Sequence, residues 1–188
     1  QALRAGHLDV AANLVQNLSE EQLLAEQNVG MLLRWKMDLP DSLLISTPRL
    51  IVLYSWALGL ACQLDAAEEL ASHLSRFLPA PSATAQKSML AQWLALSGII
   101  ARGRGHRELT LRYCSEALEG LPAKRYGQRL MCLSTLSNLA IADGDLWRAR
   151  GLNRESLELA QRVGNPLFEA LAHYDRARVL QSRGEILR

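Results

Sequence analysis

Residues 62–70 read CQLDAAEEL, residues 105–113 read GHRELTLRY and residues 144–152 read GDLWRARGL; an earlier stretch, GHLDVAANL, occupies 6–14. Each opens on a turn position and runs into a segment with helical apolar spacing. Five positions past the turn residue stand Ala11, Ala67, Thr110 and Ala149, all small. Seven positions before the turns at 62, 105, 144 and 184 stand Ser55, Gly98, Ser137 and Ala177, again all small, at intervals of 43, 39 and 40. Two series of small residues in step with the turns mark the places where paired helices approach closely and a bulky side chain would force them apart.

Outward from these turns the chain is helical throughout. Apolar residues recur at three- and four-residue spacings, as in Leu111, Cys114, Leu118 and in Leu130, Leu133, Leu136, Ala140, while strand signals are almost absent. Ser19 and Gln22 form a capping box. Thr47-Pro48 and Asn165-Pro166 each read as an N-cap followed by proline at the first helical position, and Gly105, Gly144 and Gly184 end helices. The longest break is LPAPSAT at 78–84. The expected fold is all-α: a TPR-like, right-handed α-solenoid of antiparallel helix pairs, with a period of roughly 40 against the ~34 of the standard unit.

Residues 1–188 are expected to form a single helical-repeat domain, cut from a larger protein. The interval from Ala11 to Ala67 is 56 residues, longer than the later ones, and the excess falls on 19–47. That stretch contains LLRWKMDLPDSLL (32–44), where one helix ends with Trp35 and Leu39 facing inward. Pro40 stops it, Asp41 is placed to cap a short helix, and Thr47-Pro48 starts a long one. Residues 19–47 are therefore an inserted helical corner and 48–188 the regular repeats.

Composition limits the function classes. Apolar residues are 49% and charged residues 21%, as in an ordinary globular domain. LIVLYSWALGLAC (50–62) is too short to span a bilayer, so a cytoplasmic protein without membrane contact is expected. The cysteines, Cys62, Cys114 and Cys132, have no paired spacing and read as buried reduced thiols. No metal site is expected, and the four histidines are scattered. There is no phosphate loop, HExxH, Gly-x-Ser-x-Gly or CxxC, so no catalytic residues are assigned and no enzyme is expected. Residues 1–100 carry 6 Lys+Arg against 9 Asp+Glu, and residues 101–188 carry 15 against 10. The basic second half suits an anionic partner or an acidic neighbouring domain.

The order AGHLDVAANLV…LLRWKMDLPDSLLISTPRLIVLYSWALGLACQLDAAEEL resembles the opening of the helical-repeat domain of MalT-like activators, the large ATP-binding regulators of the LuxR class. The Ala-Gly entry, the Trp35…Leu39-Pro40 corner, Pro48-x-Leu50, Ser55-Trp56-Ala57 and Leu64-Asp65-x-Ala67-Glu68 carry it over about residues 5–75. Cys62 departs from it, standing where glycine is usual. The resemblance implies an inducer-sensing module that relays binding of a small-molecule inducer or a regulatory protein to adjacent domains of the same chain. Those would hold the ATP and, at the C-terminus, the DNA, and self-association would follow. No cofactor is expected within these residues. A TPR-like protein–protein scaffold without a small-molecule site is the alternative.

With Ser55, Gly98, Ser137 and Ala177 as register marks, groove-facing positions fall three before, one after and four after each. These are Trp56 and Gly59, then Ala95, Ile99 and Arg102, then Ser134 and Asn138, and last Tyr174, Arg178 and Gln181. Trp56 and Tyr174 offer flat apolar faces, Ser134, Asn138 and Gln181 neutral hydrogen bonds, and Arg102 and Arg178 a grip on an anionic group. Trp147, beside Arg148 and Arg150, is a candidate contact on the convex side.

Overall fold

A computed structural model describes residue 10, residues 13–15, 29–77 and 84–184 of the chain. They are all-helical, and no strand occurs among the described residues. Ala11, the Ser19–Gln22 capping box and residues 78–83 of the proline-rich break lie outside them.

The chain runs through α1 (Val29–Lys36), α2 (Asp41–Ser46), α3 (Pro48–Leu60), α4 (Leu64–Ser72) and a 3-10 turn (His73–Phe77). It continues through α5 (Thr84–Gly103), α6 (Arg107–Gly120), α7 (Tyr126–Ala142), α8 (Leu146–Val163) and α9 (Pro166–Ser182). Consecutive helices pack on each other from α3 to α9, and every second helix also touches: α1 with α3, α3 with α5, α5 with α7, α7 with α9.

Burial alternates to match. In α3 every residue from Leu50 to Leu58 is buried, and α7 buries ten of its residues. A helix enclosed by neighbours on most sides must be apolar or small on most sides. The partners α4, α6 and α8 bury narrow stripes: Ala67, Leu70 and Ala71; Thr110, Cys114 and Ala117; Ala149, Asn153, Ser156 and Ala160. Their outer faces, such as Asp65, Glu68 and Glu69 on α4, stay in solvent.

The turns that set the register share one hydrogen-bond pattern. The amides of Cys62, Gly105 and Gly144 each bond the carbonyl three residues back, at 3.1, 3.0 and 3.0 Å. The following amides, of Gln63, His106 and Asp145, each reach five residues back, to Leu58, Ala101 and Ala140, at 2.9, 2.8 and 2.9 Å. This closure requires a left-handed residue at the turn. Gly105, Gly144 and Gly184 supply it with φ of 77°, 76° and 72°; Cys62 supplies it with φ of 58°. Neighbouring turns are tied to one another. Arg104 bridges Asp65 and Glu68, both at 2.6 Å, and Arg107 pairs with Asp143.

The small-residue positions sit where the register puts them. Ala67, Thr110 and Ala149 have no exposed surface, and Ser55, Gly98 and Ser137 are buried. Ser137 Oγ donates to the Ala149 carbonyl at 3.2 Å, joining the two series directly. Ala177 differs: it is exposed, because α9 is packed by α7 and α8 and no described helix lies on that face.

Three further expectations change. Cys62 is exposed rather than buried, since it forms the turn instead of extending α3. Trp35 is only half-buried against the core while Leu39, at 5% exposure, is the residue that locks the corner. Asp41 is the first helical residue rather than the cap; Pro40 takes the cap position in extended geometry and its carbonyl accepts from Leu43 and Leu44. Pro48 does open α3 at its first position, and Asn165 caps α9 by accepting from Leu167 N at 3.0 Å.

Candidate functional site

The groove strip is built on α3, α5, α7 and α9, which touch in sequence, and that packing decides which of its side chains reach solvent. Trp56 does not: it is 4% exposed within the main core, and Ala95 beside it in the strip is fully buried. Ser134 is 5% exposed. Val52, Ala95 and Ser134, three before their marks, are buried, as is Trp56, one after Ser55, so Trp56 is a core residue and not a ligand contact, whereas Tyr174, three before Ala177, is exposed.

The polar members further along come together. Asn138, half-buried on α7, donates from Nδ2 to the Ser134 carbonyl at 2.8 Å and to Asp175 Oδ1 at 3.3 Å, and its Oδ1 accepts from Arg178 Nη1. The amide is thus oriented by a donor on one side and acceptors on the other. Arg102 on α5 donates to Thr135 Oγ1 on α7 at 3.4 Å. Apart from the Asn138–Ser134 bond within α7, these bonds cross between helices and join residues 33 to 40 apart in sequence. Tyr174, at 61% exposure, and Gln181 stand at the open edge of the network.

Asp175 was absent from the groove strip. It is 1% exposed, with Oδ1 taken by Asn138 and Oδ2 without a hydrogen-bond partner. The signal for it lies in the α9 stripe Phe168, Ala172, Asp175, Val179, whose spacing marks the buried face and includes one carboxylate. Asn153 is the counterpart on α8; its Nδ2 donates to the Ala172 carbonyl at 2.9 Å and fixes α8 to α9.

Cys114 and Cys132, both fully buried, lie side by side between α6 and α7. The hydrogen bond to Cys114, followed by burial, holds the Cys132 thiol well above the ordinary range, so it stays protonated at neutral pH. Among the described residues no three His, Cys, Asp or Glu groups gather to hold a metal ion, and no helix is long and apolar enough to cross a membrane. Trp147 is 81% exposed at the start of α8 and borders a recess of about 470 Å³ with Arg150 and Arg183. Comparison with protein-family models, with curated proteins and with solved structures finds no match to this chain.

Proposed function

We propose that the chain is the sensing module of a cytoplasmic, ATP-dependent LuxR-class regulator of the MalT-like kind, built as a right-handed TPR-like α-solenoid. It binds an inducer or a regulatory protein and relays occupancy to ATP-hydrolysing and DNA-binding domains elsewhere in the protein. The observation that carries the solenoid is the repeated turn, with the same two backbone bonds at Cys62, Gly105 and Gly144 and ion pairs joining one turn to the next. Stacked, nearest-neighbour repeats of this type place a continuous binding face along one side. Its open edge is Tyr174 with Arg178 and Asn138, whose bonds couple α7 to α9. A ligand that competes for the Arg178 guanidinium would loosen that coupling, which is a direct route from occupancy to the relative placement of repeats.

Two tests separate the parts of this proposal. The full-length gene should encode a phosphate-binding Gly-rich loop before this segment and a helix-turn-helix after it; a gene with neither refutes the regulator. A thermal-shift screen of small molecules, with calorimetry of any that bind against Asn138→Ala, Tyr174→Ala and Arg178→Ala, tests the edge. Undiminished binding in all three places the site outside it. A protein–protein scaffold is the second reading, favoured by the engagement of Asn138, Asp175 and Arg178 with one another.

A further inference from the structure

Charge is sorted between the two sets of helices. α3, α5 and α7 contain Arg49, Lys87, Arg102 and Arg129 and not one carboxylate. Their partners α4, α6 and α8 contain three, three and two carboxylates. Enclosure by neighbours leaves a helix little room for charge, but it disfavours cations and anions alike. The few charges on the enclosed helices are nevertheless all positive, and most are engaged or distant. Arg129 donates to the Leu118 and Leu121 carbonyls at the end of α6 and faces Glu155. Arg49 and Lys87 sit in the first turns of α3 and α5, and Lys87 is about 22 Å of helix away from Arg102.

Arg102 is left, and Arg178 of α9 meets it over α7, on which both α5 and α9 pack. Arg102 donates to Thr135 Oγ1 at 3.4 Å, and Arg178 donates to Asn138 Oδ1. Thr135 and Asn138 stand one turn apart on α7, about 5–6 Å from Cβ to Cβ, which puts the two guanidiniums on the order of 10 Å from each other. Arg102 is exposed, and Arg178 and Asn138 are half-buried. Among the described residues neither arginine has a carboxylate within ion-pair distance. Asp175, one turn before Arg178, is 1% exposed and turns its Oδ1 to Asn138 Nδ2. Each of the two cations is therefore held by a neutral acceptor.

We propose that this strip binds a small dicarboxylate, with one acid on Arg102 and the other on Arg178. The proposal rests on the reading of the Asn138–Tyr174–Arg178 edge as the binding face and names the ligand class for it. Replacing a neutral acceptor by a carboxylate gives each guanidinium a charge-assisted, two-pronged bond. A single exposed pair of this kind is weak, so one acid alone holds poorly. A molecule with two acids gains because the first contact delivers the second at high effective concentration. The spacing also separates a dicarboxylate from a phosphate, which is too compact to meet both guanidiniums while they stay on α7. The bound molecule ties α5 to α9 across α7, so occupancy is felt over three helices at once.

Calorimetry with succinate, glutarate and adipate at constant ionic strength, beside glutaramide and inorganic phosphate, is the test. At least one dicarboxylate should bind, with the neutral diamide silent and phosphate at least about fivefold weaker. Arg102→Gln and Arg178→Gln should each weaken that dicarboxylate at least about fivefold. Arg162→Gln, an exposed change on α8, should stay within about twofold of wild type. Circular dichroism confirms that each variant is folded, and Arg102→Gln, at an exposed position, decides alone where Arg178→Gln does not fold. No binding by any of the dicarboxylates, phosphate binding as tightly, or equal loss in Arg162→Gln would each overturn the proposal. A neutral molecule that binds, and binds less well to Asn138→Ala and Tyr174→Ala, while no dicarboxylate does, would overturn the dicarboxylate and leave the binding edge standing. Dicarboxylate binding undiminished in both arginine variants would overturn the two together.

Discussion

Gly98 is the position where the close approach of two helices can be measured. It lies inside α5, and an added Cβ would sit 2.5 Å from Cys114 Sγ, 3.2 Å from Cys114 N and 3.4 Å from Tyr113 Cβ. Ordinary contact needs about 3.5–4.0 Å, so the sulfur must retreat by about 1 Å. Cys114 has no exposed surface and Cys132 lies against it, so there is little space to retreat into. The backbone nitrogen moves only if α6 moves. Overpacking of this kind costs about 1–3 kcal/mol, partly offset by the 0.5–1 kcal/mol or so that alanine gains over glycine within a helix. Gly98→Ala should therefore destabilise by up to about 2.5 kcal/mol. Gly151→Ala is the matched control: it lies inside α8, is exposed, and has nothing within 4 Å of its Cβ. It should stabilise by about 0.5–1 kcal/mol. Urea unfolding of both, read at constant m-value, isolates the steric difference. Adding Cys114→Ala to Gly98→Ala should recover part of the loss, because only the sulfur contact is relieved. A Gly98→Ala protein as stable as Gly151→Ala would refute the close-packed register.

Other sites give sharp expectations. Cys62→Gly should raise stability by about 0.5–1 kcal/mol, because it removes a side chain from left-handed backbone; in the native protein Cys62 should react with a thiol reagent long before buried Cys114 and Cys132. Tyr54→Phe should be neutral or stabilising by up to about 1 kcal/mol, since the buried hydroxyl has no hydrogen-bond partner and burial holds its pKa far above the usual range. The Arg107 hydrogen bond holds the Asp143 carboxyl below its ordinary value. Its stabilising contribution is thus complete above the usual aspartate range near about 4 and lost as pH falls through the depressed folded value. Thermal melts of wild type and Asp143→Asn should converge in acid, and an unchanged gap there would contradict the pairing.

How legible these features were in the sequence depended on whether one helix or two decided them. Gly105, Gly144 and Gly184 announce left-handed turns because glycine alone adopts them freely, and the small positions at 67, 110 and 149 follow by counting. Cys62 occupies the same turn and was misread, since its residue type points to a core. Trp35 and Leu39 both belonged to an apolar corner, but which one is enclosed depends on how α1 meets α3. Trp56 failed for the same reason. Its angle around α3 was correct relative to Ser55, yet whether that angle faces water or α5 is a property of the crossing, which spacing along one helix does not contain. Asp175 and Asn153, by contrast, were within reach, each being a polar residue on an apolar stripe.

Those two polar residues also distinguish the last helix pair from the rest. From α1 to α6 the buried face is a continuous apolar cluster around Leu32, Leu50, Leu74 and Leu96, whereas α8 and α9 contribute two small clusters, one around Phe168 and Ala172 and one around Val179. Where apolar area is scarce, position is fixed by hydrogen bonds instead: Asn153 to the Ala172 carbonyl, and Asn138 to Asp175 and Arg178. Each such bond contributes only about 0.5–1.5 kcal/mol net, but leaving a partner buried and unsatisfied costs more, so the network holds one geometry without much depth. Among the described helices α9 comes last and packs on α7 and α8 alone. The placement of α9 should accordingly answer to whatever binds it. The hold of α9 on α7 combines two small apolar clusters, one with Leu130, Phe168 and Ala172 and one with Ala140 and Val179, with the Asn138 bonds to Asp175 and Arg178, so a ligand at the Tyr174 edge would be felt in the placement of α9.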